Sequence, residues 1–264
     1  MKQVELLLPT HNVPKKLEAL LCSVKAQTYK NFVLRIGDNS EKDKVIEKLI
    51  RSFRTDFQIQ HIQHDKNIGA FRNHNFLLGT VDADYFCLIN SDDLLNESFV
   101  EAHLQNLERN SCAVSASTLK RYMDGKFIKV DHKPITNSAI ESFFYCLSKY
   151  KTFASLESIY YGMVRNPKKL TFSITDRLGT ANGLVFKYAL LGAIQTADDA
   201  IYIKHGSHRD FERYRQLRRI PALTNFSKIF RLPEIIPYFF LNSAQALYWR
   251  VPKSGSSGSR ILGQ

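Results

Sequence analysis

Tyr85-Phe86-Cys87-Leu88-Ile89-Asn90-Ser91-Asp92-Asp93 is a short apolar run that stops at two adjacent carboxylates. The apolar part reads as a buried strand. In an open α/β sheet, ligands collect outside the carboxyl ends of the strands. Two hard oxygen ligands at such a place suit Mg²⁺ or Mn²⁺ and, through the metal, a diphosphate. An Asp ahead of a helix is also a common N-cap, and taken alone the pair favours that simpler role. The rest of the chain shifts the balance.

Working outward from this stretch, strand and helix alternate. Val4–Leu8 reads as a strand. Pro14–Gln27 reads as a helix with Leu17, Leu20, Leu21 and Val24 on one face. Asn31–Ile36 is a second strand, ending at Gly37-Asp38-Asn39-Ser40. Lys42–Phe53 is an amphipathic helix and Phe57–Ile62 a third strand. A helix follows Asn67-Ile68-Gly69 to about Leu78. Glu97–Leu107 is helix and Cys112–Ser117 strand. Such alternation predicts a mostly parallel central sheet flanked by helices on both faces. After Thr118 the regularity breaks. An Asp124-Gly125 turn predicts a hairpin, and Ser138–Ser148 and Asp176–Leu191 read as helices. Arg209–Arg219 is a basic helix candidate. Pro233–Val251 is apolar and aromatic, and the Ser/Gly-rich end reads as a flexible tail.

At 264 residues, with 44% hydrophobic and 23% charged side chains, the chain has a globular composition and can bury a real core. No apolar window is long enough for a spanning helix. The chain enters its first strand without the pattern of a signal peptide, which predicts a cytoplasmic protein. Cys22 and Cys87 fall on apolar faces and read as buried free thiols; no CxxC metal pattern occurs. The net charge of +12 fits nucleic acid, an anionic membrane surface or anionic substrates. Lys204 to Arg231 is strongly basic and lies beside apolar segments, which favours a membrane surface. No nucleic-acid-binding signature accompanies it.

Four polar loops follow apolar runs: Pro9-Thr10-His11-Asn12, Gly37-Asp38-Asn39-Ser40, Asn67 to Asn73, and Asn90-Ser91-Asp92-Asp93. In an open sheet they would converge on one crevice. In this order and spacing the chain resembles the family 2 glycosyltransferases of the GT-A fold. The family's Pro-Thr-Tyr-Asn is matched by Pro9-Thr10-His11-Asn12, and its Gln-Thr-Tyr by Gln27-Thr28-Tyr29. Its Asp-Asp-Gly/Asn-Ser is matched by Gly37-Asp38-Asn39-Ser40, and its Asn-x-Gly and Ala-Arg-Asn by Asn67-Ile68-Gly69 and Phe71-Arg72-Asn73. Its metal motif, Asp-Ser-Asp-Asp, is matched by Asn90-Ser91-Asp92-Asp93. The match is close over residues 3–118. It continues more weakly to about 208, through Tyr161-Gly162-Met163-Val164-Arg165 and Lys204-His205-Gly206-Ser207. Three departures stand out: His11 for the usual Tyr, Gly37 for the first Asp of the base-reading loop, and Asn90 for the first Asp of the metal motif.

The resemblance implies an inverting enzyme that moves a sugar from a nucleoside diphosphate sugar to a hydroxyl of a glycan or lipid-linked acceptor. It implies Asp38 as the carboxylate that accepts from a ring N–H of the base, with Pro9, Thr10 and His11 flanking the base. Asn67, Arg72 and Ser91 would complete the nucleotide site, the Arg72 fork suiting diphosphate oxygens. Asp92 would ligate Mn²⁺ or Mg²⁺, with Asp93 beside the ribose or the metal's waters. Asp176, at a helix start, would be the general base, with Asp198 and Asp199 as acidic alternatives. Each residue also has a plainer role: turn residue, surface histidine, solvated arginine, helix cap. By this reading residues 1–118 form the nucleotide-sugar half and 119–208 the acceptor and catalytic half. Residues 209–252 form a basic, aromatic helical appendage and 253–264 a tail. That appendage makes an anionic membrane surface a further candidate partner, with the protein peripheral on the inner face. A nucleotidyltransferase would want a Gly-rich loop after the first strand, and Pro9–Pro14 has no glycine. A catalytically weakened nucleotide-binding or membrane-surface module of the same fold is the remaining alternative.

Overall fold

The first half of the chain folds as its apolar runs dictate. In this computed structural model, which describes residues 2–40, 45–130, 133–149, 156–167 and 180–206, β1 (Val4–Thr10) lies between β2 (Phe32–Asp38) and β4 (Tyr85–Leu88). Beyond β2 lies the edge strand β3 (Gln58–Gln63), and all these pairings are parallel. Val4, Leu6, Leu7 and Leu8 are fully buried on both sides of β1. A central parallel strand has helices over both its faces, so it needs a continuous apolar run and not an alternating one.

Helices α1 (Pro14–Lys25), α2 (Val45–Ser52), α3 (Ala70–Gly79) and α4 (Phe99–Arg109) connect these strands. α1 opens on Pro14, whose ring needs no N–H at that position. It buries Leu17, Leu20, Leu21 and Val24, as the spacing predicts. The Gln-Thr-Tyr segment has a structural job. The buried Gln27 donates through Nε2 to the Asn96 carbonyl (2.7 Å) and accepts from the Val100 amide (3.0 Å), so it satisfies an open end of α4. Cys22 corrects the expectation of buried thiols: it is exposed, one position past the buried Leu21, whereas Cys87, Cys112 and Cys146 are buried and all of them are free.

The second half is a mixed sheet. The strand order is β3-β2-β1-β4-β8-β6-β9-β5, with β7 paired to β6. β5 (Leu94–Leu95), β6 (Val114–Met123), β7 (Lys126–Val130), β8 (Met163–Arg165) and β9 (Ile194–Gly206) make up this part. β8 is antiparallel to both β4 and β6, β9 is parallel to β6, and β5 is antiparallel to β9. The β6–β7 hairpin turns at Asp124 (φ 47°) and Gly125 (φ 77°), the positive values that such a turn requires. β9 is interrupted opposite β6. Ser117 pairs with Ala197 but Thr118 with Ile201, so Asp198, Asp199 and Ala200 bulge out. α5 (Ala139–Lys149), α6 (Glu157–Tyr160) and α7 (Thr180–Ala189) complete the described elements. Asp176, the basic segment 209–219, the aromatic stretch 233–251 and the tail 253–264 lie outside the described residues. Among the described residues no helix is long and apolar enough to cross a membrane.

Candidate active site

The carboxyl ends of β1, β2, β3 and β4 bring the predicted loops together. Thr10 pairs with Asp38 in the β1–β2 register, and Asp38 with Gln63 in the β2–β3 register. The Asn39 amide then donates to the Thr10 carbonyl at 3.0 Å, and the Ile89 amide to the Leu7 carbonyl at 2.9 Å. Each loop therefore leaves the sheet tied to its neighbour.

Asp38 is fully buried. Its Oδ1 accepts from the Ser40 amide (2.8 Å), and its Oδ2 lies 3.0 Å from His61 Nε2. Burial alone would raise this carboxyl, but the hydrogen bonds from His61 and Ser40 outweigh it and hold it below its ordinary value. The exposed His11 covers this loop through Nδ1, 3.0 Å from the Asn39 carbonyl, and the Asn12 amide donates to Ser40 Oγ at 2.9 Å. Pro9 is half-buried and Thr10 buried; Thr10 Oγ1 has no hydrogen-bond partner among the described residues. Asn67 is exposed and closes a turn by accepting the Gly69 amide at 2.8 Å. Arg72 is exposed on the first turn of α3, and the next residue, Asn73, is buried.

Asn73 packs directly against Gly37. Its Nδ2 donates to the Gly37 carbonyl at 2.8 Å, and its Oδ1 lies 3.0 Å from His64 Nε2. A Cβ on residue 37 would sit 2.3 Å from Asn73 Oδ1, so no side chain fits there while Asn73 holds this place.

At the end of β4 the two carboxylates part. Asp92 faces out, with its side chain 42% exposed and Lys16 Nζ 3.8 Å away, while Ser91 is half-buried. Asp93 turns in and is 1% exposed. Its Oδ1 accepts from the His205 amide (3.1 Å) and its Oδ2 from the Tyr202 hydroxyl (3.0 Å). Asp93 thus ties the loop to β9, and both of its oxygens are engaged in protein. Burial pushes its carboxyl up to about 6, with the nearby Lys204 ammonium opposing the rise.

Asn90 belongs to the same inner network. Its Nδ2 donates to the Tyr161 hydroxyl at 2.6 Å and lies 3.5 Å from Asp93 Oδ2, and its amide donates to the Tyr202 hydroxyl at 3.0 Å. The Tyr161 and Tyr202 rings stack at 4.5 Å. Lys204 Nζ donates to the Tyr161 hydroxyl (3.2 Å) and lies 3.8 Å from Glu157, which also pairs with Arg121 at 2.5 Å. In the sequence Tyr161, Lys204 and Asn73 stand out only as parts of motifs, and His61, Glu157 and Tyr202 do not stand out at all. The one signal for them was that polar groups stand in otherwise apolar or alternating runs. Asp198 is exposed and paired with Lys133 at 2.6 Å, and Asp199 is exposed in the same bulge. Among the described residues no group of three or more His, Cys, Asp or Glu side chains could hold a metal ion by itself.

The model of glycosyl transferase family 2 matches residues 6–177, more than half of the chain. The chain belongs to this family. An uncharacterized glycosyltransferase of Haemophilus influenzae is 24% identical over 107 residues, covering 40% of this chain and 33% of that protein. One from Rickettsia felis is 29% identical over 132 residues, covering 49% of this chain and 21% of that protein. The chain thus spans about a third or less of the length of these curated relatives. Among solved structures, S. aureus TarS 1-349 in complex with UDP superimposes with a TM-score of 0.63 at 18% identity, covering 83% of this chain and 64% of that one. The same protein in complex with UDP-GlcNAc gives 0.61 at 17% identity, covering 96% and 77%. At such identity the likeness shows the fold alone, which is of GT-A type.

Proposed function

We propose that this chain transfers a glycosyl group from a nucleoside diphosphate sugar to a hydroxyl acceptor, with inversion, in glycan synthesis. The observation that carries the reading is Asp92, an outward carboxylate at the end of β4 beside the bound-together loops of β1 and β2. The acceptor hydroxyl attacks the anomeric carbon, the bond from that carbon to the diphosphate oxygen breaks, and the hydroxyl proton passes to a carboxylate. We assign that base to Asp176, which lies outside the described residues. Arg72, exposed at the start of α3, is the group offered to the diphosphate, and a guanidinium fork suits phosphate oxygens. The base is assigned to the His11–Asp38 corner. Asp38 is fully buried in this structure, so a nucleotide base that meets it must first displace a neighbouring group.

A hard divalent ion, Mn²⁺ or Mg²⁺, fits at Asp92, where one free carboxylate leaves the remaining coordination to diphosphate oxygens and water. Asp93 is turned inward, with a protein donor on each oxygen, so the outward Asp92 is the first ligand we assign and Asp93 the second. Such an ion would supply positive charge against the leaving diphosphate. That solved structures of similar fold hold UDP and UDP-GlcNAc supports a uridine nucleotide donor. The acceptor class, glycan or lipid-linked, follows the family resemblance.

The test is thermal shift with UDP, with and without Mn²⁺, followed by hydrolysis of a panel of nucleotide sugars. Ligands that bind only the native state raise the melting temperature by mass action. Stabilisation by UDP and turnover of at least one UDP-sugar are expected. No shift with any nucleoside diphosphate and no turnover of any donor would leave the fold without this activity.

A further inference from the structure

We propose that the β6–β7 hairpin is the acceptor subsite, with the Phe127 ring as the platform on which a sugar ring of a glycan acceptor lies. The inference rests on the reading of the chain as a glycosyltransferase, and it gives the acceptor of that reading a place on the chain.

Strand register puts the hairpin beside the crevice. Cys87 on β4 and Ser115 on β6 both pair with Met163 on β8, so they lie at one level. β8 is antiparallel to both strands, so β4 and β6 run the same way. β4 ends one residue higher, at Leu88, where the chain turns into the loop of residues 90–93, while β6 climbs on to Met123. β9 fills one edge of β6 along its whole length. β8 and then β7 share the other edge, the one that faces β4. The hairpin therefore rises past the carboxyl end of β4, where the loops of the candidate site gather.

A row of three rings joins the hairpin to the loop that carries Asp92. Tyr122 on β6 pairs with Phe127 on β7 and with His205 on β9, and cross-strand partners share a face of the sheet. The Tyr122 ring lies 5.6 Å from that of Phe127, edge-on, and 5.6 Å from that of His205, stacked. His205 in turn gives its amide to Asp93 Oδ1 at 3.1 Å. The preceding residues, Arg121 and Lys204, both reach Glu157, at 2.5 and 3.8 Å, and fasten the two strands under the row. The platform is thus held in place before a ligand arrives, which lowers the cost of binding.

Phe127 does not serve the core. It is 54% exposed, and among the described residues its strand pairs with β6 alone. The register shift between Arg121 and Tyr122 leaves Ile128 as an extra residue opposite β6, and bulges of this kind re-aim side chains beside active sites. A ring so open presents a face. One face of a pyranose carries C–H groups made slightly positive by the neighbouring oxygens, and the face of an aromatic ring is the negative side of its quadrupole. The sugar's hydroxyls stay at the rim, in water. Such a ligand suits an open platform, whereas an acyl chain needs a closed groove. The exposed Lys126 at the start of the same edge strand discourages pairing with a second copy.

The experiment is saturation-transfer difference NMR of methyl glycopyranosides (gluco, galacto, rhamno and N-acetylglucosamine, both anomers) with the full chain in UDP and Mn²⁺. It compares the wild type with Phe127→Ala, Phe127→Leu, Phe127→Tyr and Tyr122→Leu. Circular dichroism and calorimetric UDP affinity check that each variant is folded with its donor site intact. At least one glycoside should bind the wild type in the millimolar range. Phe127→Ala and Phe127→Leu should both weaken it by about three- to tenfold, the worth of one aromatic contact. Phe127→Tyr, which keeps the ring, should retain it, and Tyr122→Leu, which removes the brace but not the platform, should fall between. Leu keeps apolar surface without a ring face, so a Leu variant with wild-type glycoside affinity overturns the proposal. A wild type that binds UDP but none of the glycosides also overturns it and leaves the transferase reading standing; one that binds no nucleoside diphosphate removes that reading as well. A dimer that Phe127→Ala dissociates in sedimentation would make this face a contact between copies and overturn the acceptor role.

Discussion

His103 on α4 gives the fold a calculable acid sensitivity. Its ring is fully buried between Ser115 Oγ (2.7 Å from Nδ1) and Ser117 Oγ (3.0 Å from Nε2), and it meets the Phe99 ring edge-on at 4.5 Å. The hydroxyls satisfy a neutral ring, but burial disfavours the charged form and pushes the imidazole down to about 3, from its ordinary 6.5. Above pH 6.5 the ring is neutral in both folded and unfolded chains, so it contributes no pH dependence. Below that value the unfolded chain takes up a proton and the folded one does not, until about pH 3. The unfolded state then binds more protons, and stability falls as pH falls through this window. The slope approaches about 1.4 kcal/mol per pH unit, so the loss attributable to His103 is about 2 kcal/mol at pH 5.

Urea unfolding at pH 7.5 and pH 5 measures this, with His103→Gln as the partner because Gln keeps a donor and an acceptor without titrating. The wild type should lose about 2 kcal/mol more than the variant between the two pH values. Asp38 does not interfere. Its folded carboxyl lies below the ordinary 3.8, so its contribution is present above that value and is lost only as pH falls further. Parallel pH curves for the two proteins would refute the reasoning. So would an NMR titration in which the His103 ring protonates near 6.5 in the folded wild type, a readout that does not depend on the variant folding.

Other outcomes follow from the site. Asp92→Asn should abolish metal-dependent turnover while shifting unfolding free energy by under about 0.5 kcal/mol, because its carboxylate is a half-exposed surface group whose ion pair with Lys16 is long, at 3.8 Å; near wild-type rates in Mn²⁺ would remove Asp92 as the ligand. Gly37→Ala should destabilise by about 1–3 kcal/mol, since the new methyl meets an Asn73 side chain bonded at both ends, and urea unfolding reads the loss. Asp176→Asn should lower kcat by roughly 10²–10⁴-fold with nucleotide affinity unmoved, and a loss of only a few-fold in steady-state assays would return Asp176 to a helix cap. If the basic and aromatic segments after Gly206 dock on an anionic surface, the protein should float with anionic liposomes at low salt and not with neutral ones, each Lys or Arg contributing about 1 kcal/mol; flotation that ignores lipid charge would remove that partner.

The first half of the fold was legible because β1, β2 and β4 are buried on both faces, so their sequences are apolar runs, broken only by the paired Glu5 and Arg35, that stop where the crevice begins. In the second half the Asp124-Gly125 hairpin and the helices α5 and α7 were legible, but β8 and β9 were not, because these strands are held by pairing rather than by pattern. β8 spans only Met163–Arg165 and is fixed by β4 on one side and β6 on the other. β9 carries Asp198 and Asp199 in mid-strand, where they read as a break or as candidate acids. In the folded chain they occupy a bulge, with Asp198 turned to Lys133. His61 shows the same limit in the site. Its neighbours in sequence are Gln and Ile, and only the parallel register of β3 on β2 brings it to Asp38.

The metal motif shows why adjacent residues of one type must be separated by geometry. At the end of β4 the chain turns, so Asp92 goes to solvent and Asp93 to the interior. Asn90 lies on the inner side with Asp93, its amide nitrogen 3.5 Å from Asp93 Oδ2. A carboxylate at position 90, as in the resembling family, would place a second negative charge beside one that burial already raises to about 6. Lys204 would then have to serve both, while it also approaches Glu157. The amide avoids that repulsion and donates to Tyr161 instead, so the loop keeps its shape with one charge fewer. What the substitution removes is negative charge near the candidate cation position, and what it leaves is the outward carboxylate. If Asp92 holds the ion as proposed, the site would depend on the donor's own diphosphate for most of the coordination. Its affinity for metal alone should therefore be weak, and its affinity in the presence of UDP much stronger.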